Sequence, residues 1–510
     1  MRIATACLAA SLFALPVVAQ HEHHHDEGVD LGNVGKVNFV TSCNEAAQRD
    51  IVRAVALLHS FWYFEAEKSF REAANADPAC GMAWWGVAMA NYHPVWQPPT
   101  PKELKSGAEA ALKAKEIGAK SERERAYIDA INAFYADSAN TPHATRAAAY
   151  ESAMQKVAAT NPNDDEASIF YALAILGTAS PNDKTYAKQK AAAEILNGVL
   201  PNEKEHPGVA HYIIHSFDYP ELAPLALPAA RVYAKLAPAS PHALHMPSHI
   251  FTRLGLWDES IASNLASRKA AHDYVIKHDP AMSSFDELHA VDYLVYAYLQ
   301  LGRDADAKKY VDSAAAVKKL DNPNFAAAYA ISAVPARYAL ERRQWKEAAA
   351  LTVPKNISFD EFAYSEANVH FARAIGGARS GDLAVARDAL EHLQALHQKL
   401  VDQKSAYWAD QVEIQRLGAA AWIAHAEQKD DDALRLARGA ADLEARTEKH
   451  PVTPGAIIPA RELLADMLLE TGHPSDALTE IDAAISVAPN RRNALILRKR
   501  AQTEMAELKK

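Results

Sequence analysis

A fixed interval of 34 residues constrains this chain more than any other feature. His-Tyr-Ile-Ile-His, at His211 to His215, is followed 34 residues later by His-Met-Pro-Ser-His, at His245 to His249, and Pro207 and Pro241 precede the two motifs at the same offset. Units of this length hold two antiparallel helices, which cannot cover their own apolar faces and must stack on neighbours. The expectation is an all-α solenoid of helix hairpins.

Local propensity agrees. Ala, Leu, Glu, Lys and Gln dominate, and no sustained run of alternating β-branched residues occurs. Breaks at Asn75-Ala76-Asp77-Pro78, Asn161-Pro162-Asn163-Asp164, Ala237-Pro238 and Ala488-Pro489-Asn490 end one helix before the next begins. From Phe61 to Pro78 the small Ala66 and Ala73 flank the large Phe70, and Ala83-Trp84-Trp85-Gly86 follows. This pattern resembles the tetratricopeptide (TPR) repeat. It recurs around Ala477, Ile481, Ala484 and Pro489, around Tyr150, Met154, Val157 and Pro162, and more loosely around Ala226, Ala230 and Pro238. Weaker hairpins fall near Gly302, Arg343 and Gly381, so seven or more units are expected. They divide into N-terminal repeats over 46–180, central repeats carrying the histidines over 181–350, and C-terminal repeats over 351–510. Trp, Tyr and Leu at helical spacing are read as packing between helices.

Each His-x-x-x-His pair shares a helical face, and one whole repeat sets the two pairs at equivalent heights on successive first helices. Neighbouring helices pack about 8 to 10 Å apart, which imidazoles can bridge. His211, His215, His245 and His249 are therefore expected to converge in the concave groove, with Asp292 completing a metal site and His289 beside it. Neutral imidazole suits Zn and Cu, and an added carboxylate favours a site with an open position. His59 and His93, also 34 apart, are expected to form a second, smaller inward cluster. Asp218 and Arg253 can orient ligands or bind an anion, the plainer role being a salt bridge between hairpins. A metal-free polar groove and structural hydrogen bonding are the competing readings of these histidines. No Glu follows the first His as in His-Glu-x-x-His hydrolases, and Gly-rich phosphate loops, Gly-x-Ser-x-Gly and Cys-x-x-Cys are absent, so no catalytic residue is assigned.

Arg2, the apolar run Ile3 to Val18 and the ending Val17-Val18-Ala19 read as a signal peptide over 1–19, which places the mature protein in the periplasm or outside the cell. Cys7 lies too early for a lipoprotein cleavage site. Export leaves Cys43 and Cys80 as the remaining cysteines in an oxidising compartment, where pairing is expected and two buried free thiols are the alternative. Residues 20–45, with His21, His23, His24 and His25, read as a flexible leader able to bind metal loosely. A net charge of -10 without a basic stripe argues against nucleic acid and anionic lipid as main partners. No later stretch reaches the roughly twenty apolar residues of a membrane span.

The run His206-Pro207-Gly208-Val209-Ala210-His211 to His215, with Pro241-His242-Ala243-Leu244-His245 to Ile250, resembles a bacterial family of exported TPR-repeat proteins. Ser42-Cys43, Leu57-Leu58-His59-Ser60-Phe61, Ala83-Trp84-Trp85-Gly86, Glu122 to Tyr127 and His450-Pro451-Val452-Thr453-Pro454-Gly455 extend the likeness over nearly the whole mature chain. The resemblance implies a helical solenoid and brings no reaction with it. Two functions follow as expectations. One is a scaffold binding a protein, peptide or small ligand in a His-lined groove, with or without a metal ion. The other is a metal-dependent enzyme or metal-handling protein whose multi-His site holds Zn or Cu.

Overall fold

The computed structural model describes residues 31–508 except 96, 181 and 182. The proposed signal peptide and the leader histidines at 21 to 25 lie outside the described residues. Within them run twenty-four helices, from Glu45–His59 to Arg492–Glu507, and an isolated bridge between Ser283 and Leu320 is the one β contact. The helices pack mainly against those next or next but one in sequence, so the architecture is an α-solenoid of antiparallel hairpins. The first hairpin, Glu45–His59 with Tyr63–Ala76, has the arrangement read from its sequence: Ala66, Phe70 and Ala73 are buried toward the following helix Gly81–Ala90. A Cβ on Gly86 would fall 2.1 Å from the Phe70 ring, so this close helix crossing requires glycine there.

Cys43 and Cys80 are joined in a disulfide that ties the segment before the first helix to the start of the third. That segment is not a free leader up to residue 45. Phe39 is fully buried, stacks on Trp85 with ring centroids 5.2 Å apart, and meets Tyr127 edge-on at 5.5 Å. Leu31 and Val34 are buried with it, so several apolar anchors and the disulfide together offset the entropy of ordering this segment.

The concave side is not open along its length. Residues 447–459, between helices Asp430–Arg446 and Ala460–Glu470, run without helix across the groove. Arg337 donates to the carbonyls of Ala456 at 2.6 Å and Gly455 at 3.3 Å, the Tyr293 hydroxyl lies 3.2 Å from the Thr453 carbonyl, and Tyr407 donates to that of Glu448. The last helices then close back on the middle of the chain. Trp257 Nε1 donates to the Asn490 carbonyl, and Arg491 joins Glu462, Glu341 and the Tyr296 hydroxyl in a buried network. No helix among the described residues is long and apolar enough to cross a membrane.

Candidate metal centre

The two histidine motifs open helices whose first residues are Pro207 and Pro241, where a missing N–H costs nothing because no helical acceptor precedes it. Helix Pro207–Phe217 is continuous and presents His211 and His215 one turn apart. The second is broken. Pro247 cannot donate, so the helix ends at His245 and restarts as Pro247–Arg253. The offset divides the histidines into two groups of three, not one group of four. His211, His215 and His242 form the first group, and His245, His249 and His289 the second.

In the first group His211 Nε2 lies 3.0 Å from His215 Nε2 and 3.1 Å from His242 Nε2. His211 Nδ1 lies 2.6 Å from the His59 carbonyl, which only accepts, so Nδ1 carries the proton and Nε2 of the neutral ring is a bare lone pair. Phe61 walls this group, stacked on His215 and His242 and edge-on to His211 at 4.4 Å. Tyr233 stacks on the other face of the assembly, 5.0 Å from His211.

The second group is more decisive. His245 Nε2 and His249 Nε2 are 2.9 Å apart. His245 Nδ1 donates to Asn264 Oδ1, whose own amide nitrogen donates to the Ser260 carbonyl, and His249 Nδ1 donates to Asp218 Oδ2. Both Nε2 atoms therefore present lone pairs to one another, which no hydrogen bond between neutral rings satisfies. Protonating a ring would, but burial pushes His245 and His249 below the usual histidine range, outweighing the pull of Asp218 on the latter. Bare nitrogens about 3 Å apart match ligands sharing one ion, since a tetrahedral ion at about 2.0–2.1 Å sets its ligands about 3.3 Å apart. His289, on helix Phe285–Gln300, sets its ring 4.1 Å from that of His245 at a tilt of 49°, and Tyr293 one turn later covers His249. The two groups adjoin, the His242 and His245 ring centroids being 6.3 Å apart.

Asp218 is the hub behind the second group. It accepts from His249, from Arg253 Nε at 2.9 Å and from Lys449 Nζ at 3.2 Å, the last delivered by the groove-crossing segment. Burial alone would raise its carboxyl, but Lys449 and Arg253 outweigh that and hold it well below the carboxylate range. A buried carboxylate on the outer nitrogen of a ligating imidazole fixes its tautomer and raises its basicity. Asp218 and Arg253 thus form the salt bridge expected between hairpins and also orient His249.

Several sequence-predicted residues go elsewhere. Asp292 does not join the histidines: it faces Arg337, with Nε and one Nη at 3.5 Å, because that fully buried guanidinium needs a counter-charge. Burial pushes its carboxyl up to about 6, against the opposing pull of Arg337. His59 and His93 do not pair. His59 ends its helix and donates toward Glu166 at 2.9 Å, Glu166 also takes His206 at 3.0 Å, and Tyr212 lies on His59 Nδ1. This third group is closed by hydrogen bonds. Burial would raise Glu166, but His206 and His59 hold it well below its usual range. His93 lies past helix Gly81–Ala90 with φ 52°, its ring 4.4 Å from Tyr63 and its Nε2 4.0 Å from Glu103.

His242, Asn264 and Lys449 were not singled out from the sequence. His242 had a usable signal, since it lies three residues before His245 and so within one turn of the same helix. Asn264 and Lys449 had none at short range.

No protein-family model matches the chain, and no curated protein matches it significantly. Solved structures do. A human IFIT1 dimer with m7Gppp-AAAA is 12% identical over 84% of this chain and 90% of that chain, with a TM-score of 0.39. Yeast Tom70 is 12% identical over 91% and 96%, at 0.35, and the P58(IPK) TPR domain 13% identical over 91% and 99%, at 0.21. The solenoid assignment stands on the helices described above, and nothing about ligands is taken from these proteins.

Proposed function

We propose that this protein is a metal-binding TPR-like scaffold holding two neighbouring ions, one on His211, His215 and His242 and one on His245, His249 and His289. The observation that carries this reading is the 2.9 Å approach of two lone-pair nitrogens, His245 Nε2 and His249 Nε2, with both Nδ1 protons committed elsewhere. Six neutral imidazoles without thiolate or carboxylate suit Zn or Cu. Three protein ligands per ion leave a position for water or a small ligand, so metal-dependent chemistry is available to the site as well as storage or delivery. Placement of such an ion in a periplasmic or secreted protein is part of the same proposal.

The groove-crossing segment argues against a long peptide as the ligand of the central groove, because Val452 and Thr453 are buried where such a peptide would lie. Smaller ligands fit the remaining space.

The test is metal analysis of untagged protein lacking the leader histidines, after loading with Zn or Cu and removal of loose metal. About two equivalents are expected, falling toward one in either His211→Ala or His245→Ala. Retention of no metal, or a content insensitive to both substitutions, would refute the proposal.

A further inference from the structure

The remaining space in the groove is a cavity of about 690 Å3. That volume lies within the few hundred to a thousand Å3 typical of small-molecule sites. Part of its lining is aromatic and arranged for stacking. Trp408 lies flat on Tyr364, with centroids 3.8 Å apart and planes at 9°, and His450 stacks on Trp408 at 5.0 Å. Tyr329 and Tyr407 extend the same wall.

Another part of the lining is basic. Lys184, Arg253 and Lys449 contribute three cations, and their carboxylate partners are two, Asp218 and Glu448. Glu221 also lines the cavity but is exposed, where solvent and salt screen it. Glu444 is half-buried, and burial pushes its carboxyl up to about 7, so near neutral pH it offsets only part of a charge. Arg461 is matched by Glu480. Lys449 gives one of its three N–H groups to Asp218, and Arg253 gives Nε and one Nη, which leaves donors on both for a guest. A low-dielectric cavity whose buried cations exceed its ionised buried carboxylates favours an anion.

We infer that this cavity binds a planar aromatic carboxylate, its ring packed against the aromatic wall of Tyr364, Trp408, His450, Tyr329 and Tyr407 and its carboxylate on Lys449 and Arg253. The inference does not rest on the metal proposal. Occupancy nevertheless bears on the metal centre, because Lys449 and Arg253 are the two cations that hold Asp218, and Asp218 holds His249.

The experiment uses the full chain without metal, titrated with 2-naphthoate and with 2-methylnaphthalene, which has the same ring and no charge. Naphthoate should bind about tenfold tighter or more, as expected of a hydrogen bond to a charged group. Trp408→Ala should weaken both probes by about tenfold. Lys449→Met should weaken naphthoate alone, and so should Lys184→Met at the half-exposed rim, which guards against a folding defect at the more enclosed Lys449. Circular dichroism checks that each variant keeps its helices. Equal binding of the two probes, absence of binding at millimolar naphthoate, or naphthoate binding unchanged in Trp408→Ala would each overturn the inference.

Discussion

His245 and His249 meet Nε2 to Nε2 at 2.9 Å while Asn264 and Asp218 hold their Nδ1 protons. Two buried lone pairs facing each other are unfavourable, and a cation between them converts that cost into binding. An ion that binds only the folded chain stabilises it by about 4 kcal/mol at a thousandfold excess over its Kd. Zn or Cu should therefore raise the melting temperature of chain lacking the leader histidines, and the rise should shrink in His245→Ala. An unchanged melting temperature in excess metal would contradict the site.

Asp218→Asn tests the hub. The amide keeps the shape but no longer balances Arg253 and Lys449, and it no longer selects the Nδ1–H tautomer of His249 with a charge. Loss of such an outer partner typically lowers metal affinity 10- to 100-fold. The loss should fall on one of two bound equivalents, because His211 is oriented instead by the His59 carbonyl. Competition titration with a chelator separates the two affinities.

The hairpin array was legible because a 34-residue period, Pro207 and Pro241 at its start, and small-large-small spacing around Phe70 all act locally along the chain. The histidine register was legible for the same reason, whereas the division of the histidines was not. His245 and His249 have the spacing of one helical face but lie on either side of the break at Pro247, and His242 joins His211 and His215 at a spacing outside the four-residue pattern. Asp292 was misplaced because its partner Arg337 lies on another helix 45 residues away. Lys449 reaches Asp218 across 231 residues, by a segment that crosses the groove without helical periodicity, so nothing near either residue announces the contact.

Gly208→Ala probes the support beneath the first group. A Cβ there would stand 2.7 Å from His59 Nδ1 and 2.9 Å from its Cγ, so the ring must move. His59 cannot move alone, since its carbonyl anchors His211 and its ring is fixed by Glu166 and Tyr212. Overpacking of this kind costs about 1–3 kcal/mol. The expected outcome is a lower denaturant midpoint together with weaker binding at one metal equivalent. Wild-type values for both would show that the His59 layer is not rigid.

Acid should destabilise the metal-free chain. Burial pushes His215 and His450 down to about 3, against about 6.5 in an unfolded chain. Between those values the unfolded state binds more protons, so the free energy of unfolding falls as pH falls from about 6.5 toward 3. Carboxyls raised by burial act in the opposite sense, as Asp286 and Glu444, raised to about 7, and Asp292, raised to about 6, favour the fold more at acid pH. The histidines outnumber them, since His59, His211, His242, His245, His249 and His289 are lowered as well. Urea midpoints measured from pH 7 to 5 should therefore decline, and a flat profile would mean that these rings are not held neutral.

Closure of the solenoid rests on Arg491, which is 1% exposed and meets Glu462 through Nε, Glu341 through one Nη at 2.6 Å and the Tyr296 hydroxyl through the other at 2.8 Å. Desolvating three charges is expensive, so the network need not add much net stability as a whole. Removing its single cation is different. Arg491→Met leaves two buried carboxylates facing each other, and breaking a buried ion pair from one side costs about 3–5 kcal/mol. Adding Glu341→Gln and Glu462→Gln should recover much of that loss, because the uncompensated charge then disappears while the shape is kept. Denaturant melts of the single and triple variants distinguish this from simple packing. If the triple variant is no more stable than Arg491→Met, the guanidinium acts through its volume, and charge is not what secures the last helices to the middle of the chain.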